Sequence, residues 1–187
     1  MLMTWKQVRG SWVMDHAGAP LGRVRDLVVN PHTGNIPALW VNSADGMKLL
    51  AVSEINRWTR AEIFIESLTD LILPEEFPLL KKVLQQEVSI INAPVFEKAE
   101  SLKKIGTCNN FSFDTLSPSL LSLETISGWF IWQQTRIIHR RQILEMKTNG
   151  IFVSIPILAE KIKMSSSPEM LQGSLPEAET SQSFRSE

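Results

Sequence analysis

The chain has 187 residues, 43% of them apolar and 21% charged, with a formal net charge of −1. That length admits one ordinary domain or two small ones. The apolar share supplies a packed core, and near-neutrality argues against wholesale nucleic-acid binding or a polybasic membrane anchor. Charge is unevenly spread: residues 93–164 hold 9 basic and 6 acidic side chains, and residues 165–187 hold 1 basic and 4 acidic. Cys108 is the single cysteine, which excludes an internal disulfide and a cysteine-rich zinc site and suits a reducing compartment. The N-terminus shows no long apolar stretch ahead of a small-residue cleavage site. The most apolar runs, such as IFVSIPILA at 151–159, are far shorter than the ~20 residues a spanning helix needs. A cytoplasmic protein with no membrane association is expected.

Residues 4–66 read as β-structure throughout. SWVMD (11–15) is a short strand, HAGAPLG (16–22) a turn, and RVRDLVVN (23–30) a second strand. NPHTGN (30–35) is hairpin chemistry: Asn30 bonds back to the turn, Pro31 presets φ, and Gly34 takes the left-handed position. IPALWVN (36–42), MKLLAVSEI (47–55) and EIFIES (62–67) complete a set of short, evenly spaced strands, the pattern of a small barrel or sandwich. The period then changes. Phe77, Leu80, Leu84 and Val88 form a helical stripe after Glu75 and Glu76, which predicts a helical connector within 73–92.

From residue 93 the pattern returns. A shift of 84 lays Leu21, Gly22, Val24, Leu27, Val29, Asn30, Ile36 and Leu39 over Ile105, Gly106, Cys108, Phe111, Phe113, Asp114, Leu120 and Leu123. Further on the shift grows to 88, pairing Ile55 with Ile143 and Ile63 with Ile151. Repetition at this length means two similar units rather than a solenoid. The expected organisation is a first β-unit at 1–72, a helical linker at 73–92, a second, divergent unit at 93–160, and a disordered, Ser/Glu/Pro-rich acidic tail at 161–187.

The stretch GSWVMDHAGAPLGRVRDLVVNPHTGNIPALWV resembles the PRC-barrel domain, a small β-barrel found in the photosynthetic reaction-centre H subunit and in the bacterial ribosome maturation factor. The residues that carry the likeness are Gly10, Val13, Gly18, Leu21, Gly22, Val24, Asp26, Asn30, Gly34, Leu39, Val41, Val52, Ile55 and Ile63. It covers 5–66 well and 95–157 loosely. In the second copy Gly106 and Asp114 keep the pattern, whereas Gly18 becomes Leu102, Asp26 becomes Asn110 and Gly34 becomes Pro118. The resemblance implies an all-β fold of two tandem small barrels. It also implies a non-enzymatic scaffold or interaction module with a protein partner and no cofactor or metal. Its ribosome-factor branch implies the alternative, an RNA- or ribosome-associated factor.

Candidate chemistry is sparse. Asp26 falls in a strand phase expected to be apolar, so it is either a carboxylate with a raised pKa or an Asx group satisfied at a bulge. Asn110 at the repeated position favours the second reading. His16, His32 and His139 lack metal-ligand spacing, and no nucleophile elbow or phosphate-binding loop occurs. Cys108 occupies an inward strand position, which reads as a structural thiol. WFIW (129–132) places two large residues on each face of a strand, so one pair must meet either the other barrel, the favoured reading, or a partner. RIIHRR (136–141) adds a basic patch beside those aromatics. Trp129, Phe130, Trp132, Arg136, Arg140 and Arg141 are therefore the candidate partner-binding residues.

Overall fold

Alternating apolar and polar residues with glycine and proline at the turns make β-structure, and the computed structural model is mainly β. It describes residues 1–86, 88–128 and 132–155. The expectations placed on Trp129, Phe130 and residues 156–187, the acidic tail included, lie outside the described residues.

The first half runs β1 (Leu2–Thr4), α1 (Trp5–Val8), β2 (Trp12–Met14), β3 (Pro20–Val28), β4 (Ala38–Ser43), β5 (Gly46–Ala51), β6 (Ile55–Trp58), β7 (Glu62–Ile65) and β8 (Leu71–Ile72). The second runs α2 (Lys81–Gln85), β9 (Pro94–Lys98), β10 (Leu102–Asp114), β11 (Ser119–Ser127), β12 (Gln134–His139), β13 (Ile143–Lys147) and β14 (Gly150–Val153). They form two seven-stranded sheets. One has the order β6-β7-β2-β3-β4-β5-β8, and the other β13-β14-β9-β10-β11-β12 with β1 beside β10. Each is a curled, open half-barrel.

The two orders are the same order. The repeat extends to register and to defects. Val24 pairs with Val41 and Asp26 with Trp40 across a bulge, just as Cys108 pairs with Thr125 and Asn110 with Glu124. All four positions differ by the shift of 84. The parallel pair β2·β7 aligns Val13 with Ile63, and β9·β14 aligns Val95 with Ile151. Val13 to Val95 is a shift of 82, a two-residue offset hidden in the sequence because few identities survive there.

The halves meet about an internal two-fold. Asn35 bridges Ser119 in antiparallel fashion. Ile36 N–H donates to Pro118 O and Leu120 N–H donates to Gly34 O, each at 2.8 Å. These bonds exchange equivalent residues, as a C2 contact between separate chains would. Ile36 and Leu120 are both buried there, and one apolar cluster takes in Val24, Leu39 and Ile63 together with Cys108, Leu123 and Ile151. Trp58 meets Phe113 edge-on across the seam at 5.9 Å between centroids. A half-barrel of this size buries too little alone; packing the repeats together closes a shared core.

The connector differs from the helix its apolar stripe predicts. Pro74 and Pro78 open 3-10 turns (Pro74–Glu76 and Pro78–Leu80), and α-helix forms only at Lys81–Gln85. Proline at a helix start lacks only an N–H that is unpaired anyway, but Pro78 four residues after Pro74 prevents a continuous ladder. The stripe still packs inward: Leu80, Phe77 and Leu84, with Val83, cover Val28, Ala38, Trp40 and Leu49 on the outer face of the first sheet, and Val88 packs against the main core. No helix among the described residues is long and apolar enough to cross a membrane.

Candidate functional site

Asp26 and Asn110 stand at the equivalent bulges, and both are tied to α1. Trp5 Nε1 donates to Asp26 Oδ1 at 2.7 Å, and the Leu27 N–H donates to the same oxygen at 2.8 Å. The Lys6 N–H donates to Asn110 Oδ1 at 3.2 Å, and Asn110 Nδ2 donates to Glu124 at 3.3 Å. The bulge turns an acceptor toward donors that the strand ladder does not satisfy. Asp26 is thus a half-buried anchor for α1 rather than a free base. Asp26→Ala strands the buried indole N–H and is expected to cost about 1–3 kcal/mol, whereas Asp26→Asn keeps an acceptor and costs less. Urea midpoints of the two variants check the order.

α1 was not read from the sequence, where residues 4–66 look all-β. Its signal is Thr4-x-x-Gln7, half of a capping box: the Gln7 Oε1 accepts the Thr4 N–H at 2.9 Å.

The other motif residues also act in matched pairs. Asn30 Oδ1 accepts the N–H of His32, and Asp114 Oδ1 accepts the N–H of Leu116. Both close the turn after the long strand. The Met1 ammonium, 3.0 Å from Asp114, holds that carboxyl below the usual range, helped by the Leu116 N–H. Gly18 and Gly34 take positive φ at their turns. Gly22 and Gly106 lie where a side chain has no room, because a Cβ would meet Asn42 O at 2.7 Å and Ile126 O at 2.5 Å respectively.

The groups with intrinsic reactivity are dispersed. Cys108 is buried, donates its thiol to Asn110 O at 3.3 Å, and is pushed up to about 12 by burial. A thiol that stays protonated is a poor nucleophile. Native protein at pH 8 should react with a thiol reagent only as fast as it unfolds; immediate stoichiometric labelling would contradict the buried placement. His16 Nδ1 lies 2.9 Å from Glu66 O, a contact that raises its pKa, and His32 sits against Gln86. His139 is exposed on β12, directly before Arg140, whose guanidinium reaches the His32 carbonyl. No group of three or more His, Cys, Asp or Glu among the described residues is placed to hold a metal ion.

Among the clefts between the repeats are two that bear on the motif residues. One, of about 330 Å³, lies between Asp26, Trp40, Leu84, Ile91 and Phe111, with Asp26 the titratable group among its described lining residues. The other, of about 830 Å³, opens between Asn35, Asn56, Trp58, Thr115 and Pro118, with Arg57 the charged side chain at its wall. Neither collects a base, a nucleophile and a positioning group.

The candidate partner-binding residues divide. The Arg140 guanidinium donates to His32 O at 3.2 Å and to Ile143 O at 3.3 Å, so it stitches the two repeats together. Lys147, the next basic residue after RIIHRR, pairs with Glu145 at 2.8 Å. Arg136 and Arg141 are exposed, and Trp132 is 82% exposed on a bend rather than in a strand. Trp132 therefore does not fill the space between the two sheets, the kind of place favoured for one WFIW pair. Ile137, between Arg136 and the buried Ile138, is 62% exposed. Trp132, Arg136, Ile137 and Arg141 are thus all exposed on the second repeat, with Arg136 and Ile137 on opposite faces of β12.

Compared with known proteins, no family model matches the chain and no curated protein is significantly similar to it.

Proposed function

We propose that this chain is a non-catalytic scaffold, two tandem PRC-type barrels joined by a short helix, that docks a protein partner on the open side of its second repeat. The observation that carries the reading is an inequality between equivalent positions. Leu49 on β5 is fully buried, whereas Ile137, its counterpart on β12, is 62% exposed. One repeat has the β5 edge covered by β8 and its outer face by the connector; the other leaves an aromatic, an aliphatic and two arginines exposed. Aromatic and Arg side chains are the types enriched at protein interfaces. The sequence likeness at 10–63 supports a fold family whose known members act by docking, and the dispersed reactive groups give no competing chemistry. A lone, buried thiol fits a cytoplasmic setting.

A second reading, association with RNA or the ribosome, draws on the exposed Trp132 close in sequence to the exposed Arg136 and Arg141, residue types that also suit single-stranded RNA. A photo-reactive p-benzoylphenylalanine in place of Trp132 separates the two in host lysate. A discrete, ribonuclease-resistant protein adduct is expected. An adduct that ribonuclease removes would favour RNA. Labelling no stronger than from the same probe at Asp45, on the first repeat, would defeat both.

A further inference from the structure

We infer that the outer edge of β12 is a strand-addition site for an extended segment of a partner protein. The segment runs antiparallel to β12, with an aliphatic residue opposite Ile137 followed by an acidic residue opposite Arg136. The inference rests on the docking reading above and states what the partner must look like.

The internal repeat supplies the template. On β5 the equivalent edge is occupied by β8, which pairs antiparallel with Leu49 opposite Ile72 and Leu50 opposite Leu71. β12 ends its sheet, and among the described residues nothing pairs with its outer edge. A strand edge presents unpaired N–H and C=O groups, and exposed aliphatics make it adhesive.

The same comparison says which kind of element fits. The face that the connector covers in the first repeat is Val28, Ala38 and Trp40. In the second repeat these are Ser112, Ser122 and Glu124; the two serines bond each other at 2.6 Å and Glu124 accepts from Asn110. That face is self-satisfied and polar, so a second amphipathic helix would bury polar groups for little gain. Ile137 at the rim is the position that remains apolar. A single strand covers it; a helix is superfluous. Arg136 on β12, with Arg141 just beyond, sets the charge, and opposite charges directly across a strand pair are favourable.

The test is an NMR titration of the ¹⁵N-labelled full chain with a blocked peptide copied from residues 68–74 but carrying Leu73→Glu. Saturable shifts centred on β12 are expected, with binding weakened about tenfold or more by Ile137→Lys. Arg136→Glu should weaken it likewise and be rescued by a peptide with Lys in place of that Glu. Both substitutions sit at exposed positions, and an unchanged thermal midpoint confirms that the fold survives. Absence of β12-centred shifts at millimolar peptide overturns the inference. So does amide exchange on free β12 as slow as on β5, which would mean that the chain covers the edge itself. A dimer broken by Ile137→Lys would place a second copy there instead. A protein adduct at position 132 together with a silent peptide would retain docking and reject strand addition, so the two failures are distinguishable.

Discussion

Phe113→Ala is expected to destabilise the whole of residues 1–155, not the second repeat alone. Phe113 is a fully buried side chain on β10. It packs against Phe111 within its own strand and against Trp58 across the seam, at 6.4 and 5.9 Å between centroids. Met3 on β1 stands directly opposite it in the β1·β10 pair. Removing a buried phenylalanine costs about 3–5 kcal/mol through lost transfer energy and the cavity left behind. Because its neighbours belong to both repeats, Trp fluorescence and far-UV circular dichroism should report one coincident transition at lower denaturant. Two separated transitions would mean that the repeats fold independently and that the shared core contributes little.

Gly106→Val is the second large effect. A Cβ at Gly106 lies 2.5 Å from Ile126 O and 2.6 Å from the Thr125 methyl. The obstruction is the neighbouring strand's backbone, so no rotamer relieves it and β10 must separate from β11. The loss should reach or exceed the upper end of the about 1–3 kcal/mol typical of overpacking. Gly22→Val should behave alike, because its Cβ meets Asn42 O at 2.7 Å. Equal penalties at two sites 84 residues apart would be an energetic sign of the duplication. A neutral Gly106→Val, by thermal midpoint, would contradict the close approach of the strands.

Much of the β-architecture was readable because turns and strand phase leave local marks. Asn30 and Gly34 announced the first hairpin, and the shift of 84 found in the apolar pattern is the shift found in the sheet register. What escaped depends on long-range pairing. Asn35 and Ser119 share no apolar class, yet they face each other at the internal two-fold. Asp26 could be read as a satisfied Asx group, but its donor, Trp5, comes from a four-residue helix too short for periodicity to reveal. The connector's stripe predicted burial correctly and helix length poorly, since the two prolines limit the hydrogen-bond ladder without disturbing which residues face the sheet. The basic patch illustrates the same limit. Sequence proximity grouped Arg136, Arg140 and Arg141, and the fold turns Arg140 inward onto His32 while leaving the other two outside.

The duplication also suggests how an interaction surface arises. Two equivalent sheets share the demands of the core, so the outer sides are free to diverge. The first repeat covers its β5 edge with its own chain and spends that edge on stability. The second keeps the same strand order with a polar face and an exposed rim at Ile137.

The most direct measurement is quantitative affinity purification of the tagged full chain from its own host, with and without ribonuclease, beside the Trp132→Ala/Arg136→Glu/Arg141→Glu variant. A stoichiometric protein partner that resists ribonuclease and is lost with the variant is the predicted result. Partners retained by the variant, or captured only while RNA is intact, would contradict the claim that the open side of the second repeat is a protein-docking surface.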